Sequence, residues 1–213
     1  MGEWKVPAPK AYLEKEEVWD IIHAIPEVSR HVERDQLLLQ TMWECGGRVS
    51  EVVQLEKDQI VANELGLILR NMKRRTKLKS GEYVERVEHK QPYVSKNLID
   101  TLLDFCQKYR IERYVFFSNT KRRKYLSPWY VWWIVTKAAN VSGIRKTNLT
   151  KGRTVPAWPH LFRHACAMHI LDRTGSTEKA QRQLGHSSII TTQAYASLKL
   201  QKSDRQISDL DWE

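Results

Sequence analysis

Four side chains able to do acid–base or nucleophilic chemistry lie close together late in the chain. His160 and Arg163 fall in Pro159-His160-Leu161-Phe162-Arg163-His164, His186 ends Leu184-Gly185-His186, and Tyr195 follows nine residues later. Far upstream, Gly46-Gly47-Arg48-Val49-Ser50-Glu51 supplies a second arginine. This set suits attack on a phosphodiester. Arginine forks grip phosphate oxygens through paired N–H groups. Imidazoles exchange protons near neutral pH. A tyrosine hydroxyl becomes a nucleophile once it loses a proton normally held to a pKa of about 10. None of these roles requires a metal.

Spacing supports the grouping. His160 and Arg163 are three residues apart, so a helix presents them on one face. Gly185 permits a tight turn before His186, and Gly46-Gly47 lets the main chain approach a ligand closely. The run from Arg70 to Lys79 holds six positive residues and no acid. It can contact phosphates, and one of its lysines can donate a proton. Taken singly, each feature has an ordinary reading: a histidine at a helix start, a surface arginine, a packed tyrosine, a solvated basic loop.

The elements that must position these groups follow from apolar spacing. Val18, Ile21, Ile22 and Ile25 recur at helical intervals, and Pro26 is expected to end that helix. A second helix is expected from Arg34 to Glu44, broken by Gly46-Gly47, with Ser50 capping a short helix through Leu55. Leu65–Arg70 and Glu82–His89 read as two strands joined by a long basic loop. Residues 94–107 return to helical spacing, and Ser127-Pro128 is a cap-and-proline helix start. Pro159 opens a helix from His160 to Asp172, Gly175-Ser176 separates it from one reaching Leu184, and a last helix spans Ile189–Ala196. The expected fold is mainly α with a small antiparallel β-sheet, an α+β class.

The chain has 213 residues, enough for one domain with a proper core or at most two small ones. Its net charge of +10 is unevenly placed. Residues 11–66 carry five Lys/Arg against twelve Asp/Glu, whereas residues 67–163 carry twenty-two against six. A basic middle on an acidic start points to a polyanion-binding face. Cys45, Cys106 and Cys166 form neither a disulfide framework nor a zinc pattern, and read as free thiols in a reducing cytoplasm. No apolar run is long enough to span a bilayer, and the N-terminus lacks a secretory pattern.

In order and spacing these motifs resemble the tyrosine recombinase (phage integrase) family over roughly residues 11–200. Arg48 in Gly-Gly-Arg-Val-Ser-Glu matches the family's first catalytic arginine. His160-Leu-Phe-Arg163-His164 matches its His-x-x-Arg-His box, and Leu184-Gly185-His186 its Leu-Gly-His box. Tyr195 falls where the nucleophile belongs, and Lys73 is the best match to the catalytic lysine. The resemblance implies a catalytic-domain fold that cleaves and rejoins double-stranded DNA. Tyr195 would form a 3′-phosphotyrosine, and Arg48, Arg163 and His186 would stabilise the reacting phosphate. His160 would take the tyrosine proton, Lys73 would protonate the leaving 5′-oxygen, and Glu51 would buttress the site. It implies no metal, ATP or other cofactor, and a homotetramer on DNA.

Arg70, Arg74, Arg75, Lys77, Lys79, Arg122, Arg123, Lys124, Lys151 and Arg153 are the expected DNA contacts, each equally readable as a solvated cation. Residues 1–10 look like a tail or linker stub, and residues 201–213 like a tail able to dock onto a neighbouring protomer. Two departures stand out. The glycines that usually flank the hairpin lysine are missing, which leaves Lys77 and Lys79 as alternatives to Lys73. The sequence also starts almost at the expected catalytic domain, ahead of which the family usually carries a helical domain that closes the DNA clamp. Two other readings stay open: a type IB topoisomerase that relaxes supercoils, and a catalytically silent DNA-binding regulator.

Overall fold

Helix α1 (Lys15–His23) opens on a reciprocal cap, in which the Glu14 N–H donates to Glu17 Oε2 at 2.8 Å. It buries Val18, Ile21 and Ile22. The chain is represented by a computed structural model that describes residues 11–77, 83–120, 123–148 and 152–185, with backbone alone for 71–77, 83–88 and 148. Pro26 does not end α1. The helix closes at His23, and Pro26 sits in the first turn of a short α2 (Ile25–Val28), where its missing N–H is not needed.

The central helix is α3 (Val32–Cys45), which buries Leu37, Leu38, Leu39 and Met42 and packs against α1, α2 and three later helices. It ends at Gly46, whose φ of 57° lies in the left-handed region. Helix α4 (Val49–Val52) follows at once. Ser50 is not its cap, as the sequence suggested. Arg48 occupies that position and its N–H donates to Glu51 Oε2 at 2.9 Å.

Two short strands, β1 (Ile60–Val61) and β2 (Gly66–Leu67), pair antiparallel. Strands β3 (Leu69–Lys77) and β4 (Tyr83–Lys90) form the main hairpin, with Leu69 opposite Lys90 and a register shift between Asn71 and Arg74. The expected strand from Leu65 to Arg70 is therefore corrected. Leu65 itself is left-handed, and the strand runs on through residues read as a basic loop.

Helix α5 (Lys96–Lys108) is capped by Ser95 and buries the stripe Leu98, Ile99, Leu102, Phe105 and Cys106. Helix α6 (Pro128–Val141) starts where expected, with Ser127 Oγ accepting from the Tyr130 N–H at 3.1 Å. A further hairpin, β5 (Arg145–Asn148) with β6 (Arg153–Pro156), was not expected. Its polar residues lack the apolar alternation that marks a strand. Helix α7 (His160–Thr174) and helix α8 (Thr177–Leu184) meet at Gly175, and Ser176 caps α8.

Among the described residues the fold is mostly helical with three two-stranded antiparallel sheets, where the sequence suggested one. Its core unites α1, α3, α5, α6 and α7 around residues such as Leu38, Phe105, Phe116 and Phe162. No described helix is long and apolar enough to cross a membrane. The stub 1–10, the expected helix 189–196 and the tail 201–213 lie outside the described residues.

Candidate active site

Arg163 projects from α7 into the protein and is 2% exposed. A buried guanidinium is tolerable only if its N–H groups find acceptors. Its Nη1 donates to the Gly46 carbonyl, and its Nη2 donates to the Leu184 carbonyl at 2.8 Å. One side chain thus ties the end of α3 to the end of α8. Gly46 makes the approach possible. A Cβ there would stand 2.5 Å from Leu184 Cδ2 and 3.0 Å from Cys166 Sγ.

Two residues beyond Gly46, Arg48 donates from Nη1 to Glu51 Oε1 at 2.8 Å. Its side chain is 35% exposed, so it can still reach outward, while that of Glu51 is 2% exposed. The second Glu51 oxygen takes Lys90 Nζ at 2.7 Å. Burial alone would push the Glu51 carboxyl up, but the charge and hydrogen bond of Lys90, with the bonds from Arg48, hold it below the usual carboxylate value. Burial lowers the Lys90 ammonium and Glu51 opposes that shift. Arg48 and Lys90 share the Glu51 carboxylate, and the Arg163 guanidinium is near enough to Lys90 to act on its charge, so the site keeps a surplus of positive charge suited to an anion.

His160 stands exposed at the start of α7, its ring 4.6 Å from that of buried His164 and nearly perpendicular to it. The backbone of Lys73 lies in β3 at the register shift between Asn71 and Arg74. The side chain of Lys73 lies outside the described residues, as do His186 and Tyr195 entirely. Gly185, one residue before His186, adopts a φ of 62°.

The expected DNA contacts divide. Arg70 is shared with Glu56, 3.5 Å away, which Arg113 also grips at 3.0 Å. Arg123, Lys124 and Arg153 are exposed. Arg74, Arg75 and Lys77 belong to β3 by their backbone, not to a loop, and their side chains lie outside the described residues. Lys79, Arg122 and Lys151 lie outside them altogether.

The residue that sequence reasoning missed is Lys90. A lysine after Glu88 and His89 at the end of a polar strand looks solvated, and no neighbouring residue signals its burial. The described cysteines are free and buried. Burial pushes the Cys45 thiol up to about 11 and the Cys166 thiol up to about 12.

The order and joining of these motifs have a counterpart in known proteins. The sequence profile of the phage integrase family matches residues 11–202. The chain belongs to the phage integrase family. Among similar members, the tyrosine recombinase XerA of Thermococcus onnurineus is 28% identical over 202 residues, covering 92% of this chain and 62% of that protein. The tyrosine recombinase XerD of Pseudomonas putida is 29% identical over 211 residues, covering 94% of this chain and 62% of its own. This phage integrase family chain thus spans about three fifths of the length of the curated relatives it matches. In fold it resembles a crystal structure of XerA recombinase, with a TM-score of 0.68, 20% identity, and coverage of 93% of this chain and 66% of that one. It also resembles a lambda integrase dimer bound to a COC' core site, with a TM-score of 0.61, 20% identity, and coverage of 90% and 49%.

Proposed function

We propose that residues 11–200 are the catalytic domain of a site-specific DNA recombinase or integrase that works through a covalent phosphotyrosine. The observation that carries this reading is the bridge made by Arg163. It draws the turn before Arg48, the His160–His164 helix and the Leu184-Gly185 turn to one point. Similar solved structures include a XerH site-specific recombinase bound to its difH substrate and a Tn1549 transposon integrase in complex with transposon right end DNA, which supports double-stranded DNA as the substrate.

In this reading Tyr195 attacks the scissile phosphorus. The bond to the 5′-oxygen breaks, leaving a 3′-phosphotyrosine and a 5′-hydroxyl. His160 accepts the tyrosine proton, and Lys73 gives one to the leaving oxygen. Arg48 and Arg163 stabilise charge on the non-bridging oxygens, and His186 adds a hydrogen bond. The arginines supply the electrostatic work without a metal. The phosphotyrosine keeps the energy of the broken diester, so a second 5′-hydroxyl can rejoin the strand without ATP. Residues such as Arg123, Lys124 and Arg153 hold the duplex through phosphates, which gives affinity and salt sensitivity more than sequence choice. Four protomers assemble on two duplexes, with residues 201–213 docking onto a neighbour.

The test uses a pool of nicked duplexes with randomised sequence around the nick, so that the cleaved fragment diffuses away. A denaturant-resistant protein–DNA adduct that Tyr195→Phe abolishes is the expected result. Salt-sensitive binding with no adduct would overturn the enzymatic reading in favour of a DNA-binding regulator. Relaxation of supercoiled plasmid without strand exchange would favour the topoisomerase reading.

A further inference from the structure

Lys90 has no role in the scheme above, yet its surroundings are unusual for a lysine at a strand end. Its side chain is 8% exposed. Burying an ammonium is costly unless it is paired, and its partner, Glu51, is buried as well. The same Nζ makes a long 3.5 Å contact with the Leu184 carbonyl, the acceptor that Arg163 also uses. The Lys90 stem lies against the next residue, since a Cβ on Gly185 would stand 3.0 Å from Lys90 Cδ. Across the ladder Lys90 faces Leu69, and a Cβ on Gly47 would stand 3.0 Å from Leu69 Cδ1. The foot of the β3–β4 hairpin therefore abuts both the Gly46-Gly47 turn and the Leu184-Gly185 turn.

We propose that Lys90 is a positioning residue for the strand-transfer reaction, setting Arg48 through Glu51 and the turn into His186 through the Leu184 carbonyl. The inference rests on the function proposed above. Its physical basis is competition for one carboxylate. Glu51 holds the Arg48 guanidinium through Oε1, while Oε2 takes the Lys90 ammonium together with the Arg48 main-chain N–H. When Arg48 turns toward a phosphate, Lys90 keeps the buried Glu51 neutralised. Without Lys90, Glu51 binds Arg48 more tightly and withdraws it from the phosphate. The Lys90 stem and ammonium also fix where the chain leaves α8, one residue before His186. A displacement of about 1 Å in such a constellation can cost about 10²-fold in rate.

The test compares wild type with Lys90→Met and Lys90→Gln on a nicked duplex carrying a site recovered from the adduct pool. It measures adduct formation at saturating DNA, DNA affinity and the thermal midpoint, and repeats each with Arg48→Ala added. The expected result is a folded variant with unchanged affinity whose rate at saturating DNA falls about 10²-fold. Arg48→Ala should then cost much less in that background than in wild type. A folded variant that reacts at the wild-type rate, or additive effects with Arg48→Ala, would overturn the proposal. So would the failure of both variants to fold, since Lys90 would then be purely structural. An absence of adduct with the wild-type protein would instead defeat the proposed function, and this inference with it.

Discussion

Arg163 is the residue on which the site turns, and its surroundings make definite demands. It needs the Gly46 carbonyl, and Gly46 needs a left-handed backbone with no Cβ. Gly46→Ala should therefore lower stability by about 2–4 kcal/mol, combining left-handed strain with overpacking against Leu184 and Cys166. Urea unfolding measures this, and an unchanged midpoint would show that the turn can relax. Cys45 and Cys166 allow a second test. Their raised thiol values mean almost no thiolate near neutral pH. Both should resist an alkylating reagent in the native protein and react once urea unfolds it; rapid native labelling would contradict their burial. The sequence marks Arg163 as a candidate phosphate-binding cation because a motif surrounds it. Its hold on two carbonyls was not legible, because a backbone acceptor leaves no mark in the sequence. Lys90 was missed for a similar reason: its partners, Glu51 and Leu184, are distant in sequence.

At the scale of elements, α3 and α6 are joined by a buried polar network. Asp35 accepts from Arg34 Nε at 2.9 Å, Ser29 Oγ at 2.6 Å and Tyr130 OH at 2.6 Å. Arg34 also donates to the Phe117 carbonyl at 3.1 Å. Asp35→Ala leaves the buried Arg34 without its carboxylate and should cost roughly 3–5 kcal/mol. Tyr130→Phe removes the hydroxyl's donation to Asp35 and the longer 3.3 Å bond it accepts from Arg34 Nη2, and should cost about 1–2 kcal/mol. Denaturant midpoints compare the two, and equal effects would contradict the network. Helices with caps and apolar stripes, such as α5 and α6, were readable in advance because local signals determine them. The β5–β6 hairpin was not, because tertiary contacts place its polar residues, including the ion pair of Lys146 with Glu17 at 2.6 Å. The short α2 was missed because Pro26 is as fit to open a helix as to close one.

Across the whole molecule, charge carries predictions for stability and for the proposed DNA binding. Glu51 is held below its ordinary value, so the stability it contributes is present above the unfolded carboxylate value of about 4.3 and is lost as pH falls through the lower folded value. The stability gap between wild type and Glu51→Gln should therefore close in acid. Urea melts at neutral and acid pH measure it, and a gap that widens in acid would contradict the sign. The excess of cations in residues 67–163 should make DNA binding weaken steeply as salt rises. The central claim is that Tyr195 joins DNA at the site organised by Arg48 and Arg163, and peptide mapping of the trapped adduct tests it most directly. The account predicts a nucleotide remnant on the peptide that contains Tyr195, in amounts that fall sharply with Arg163→Ala at saturating DNA. A remnant on any other residue, or undiminished labelling in that variant, would contradict it.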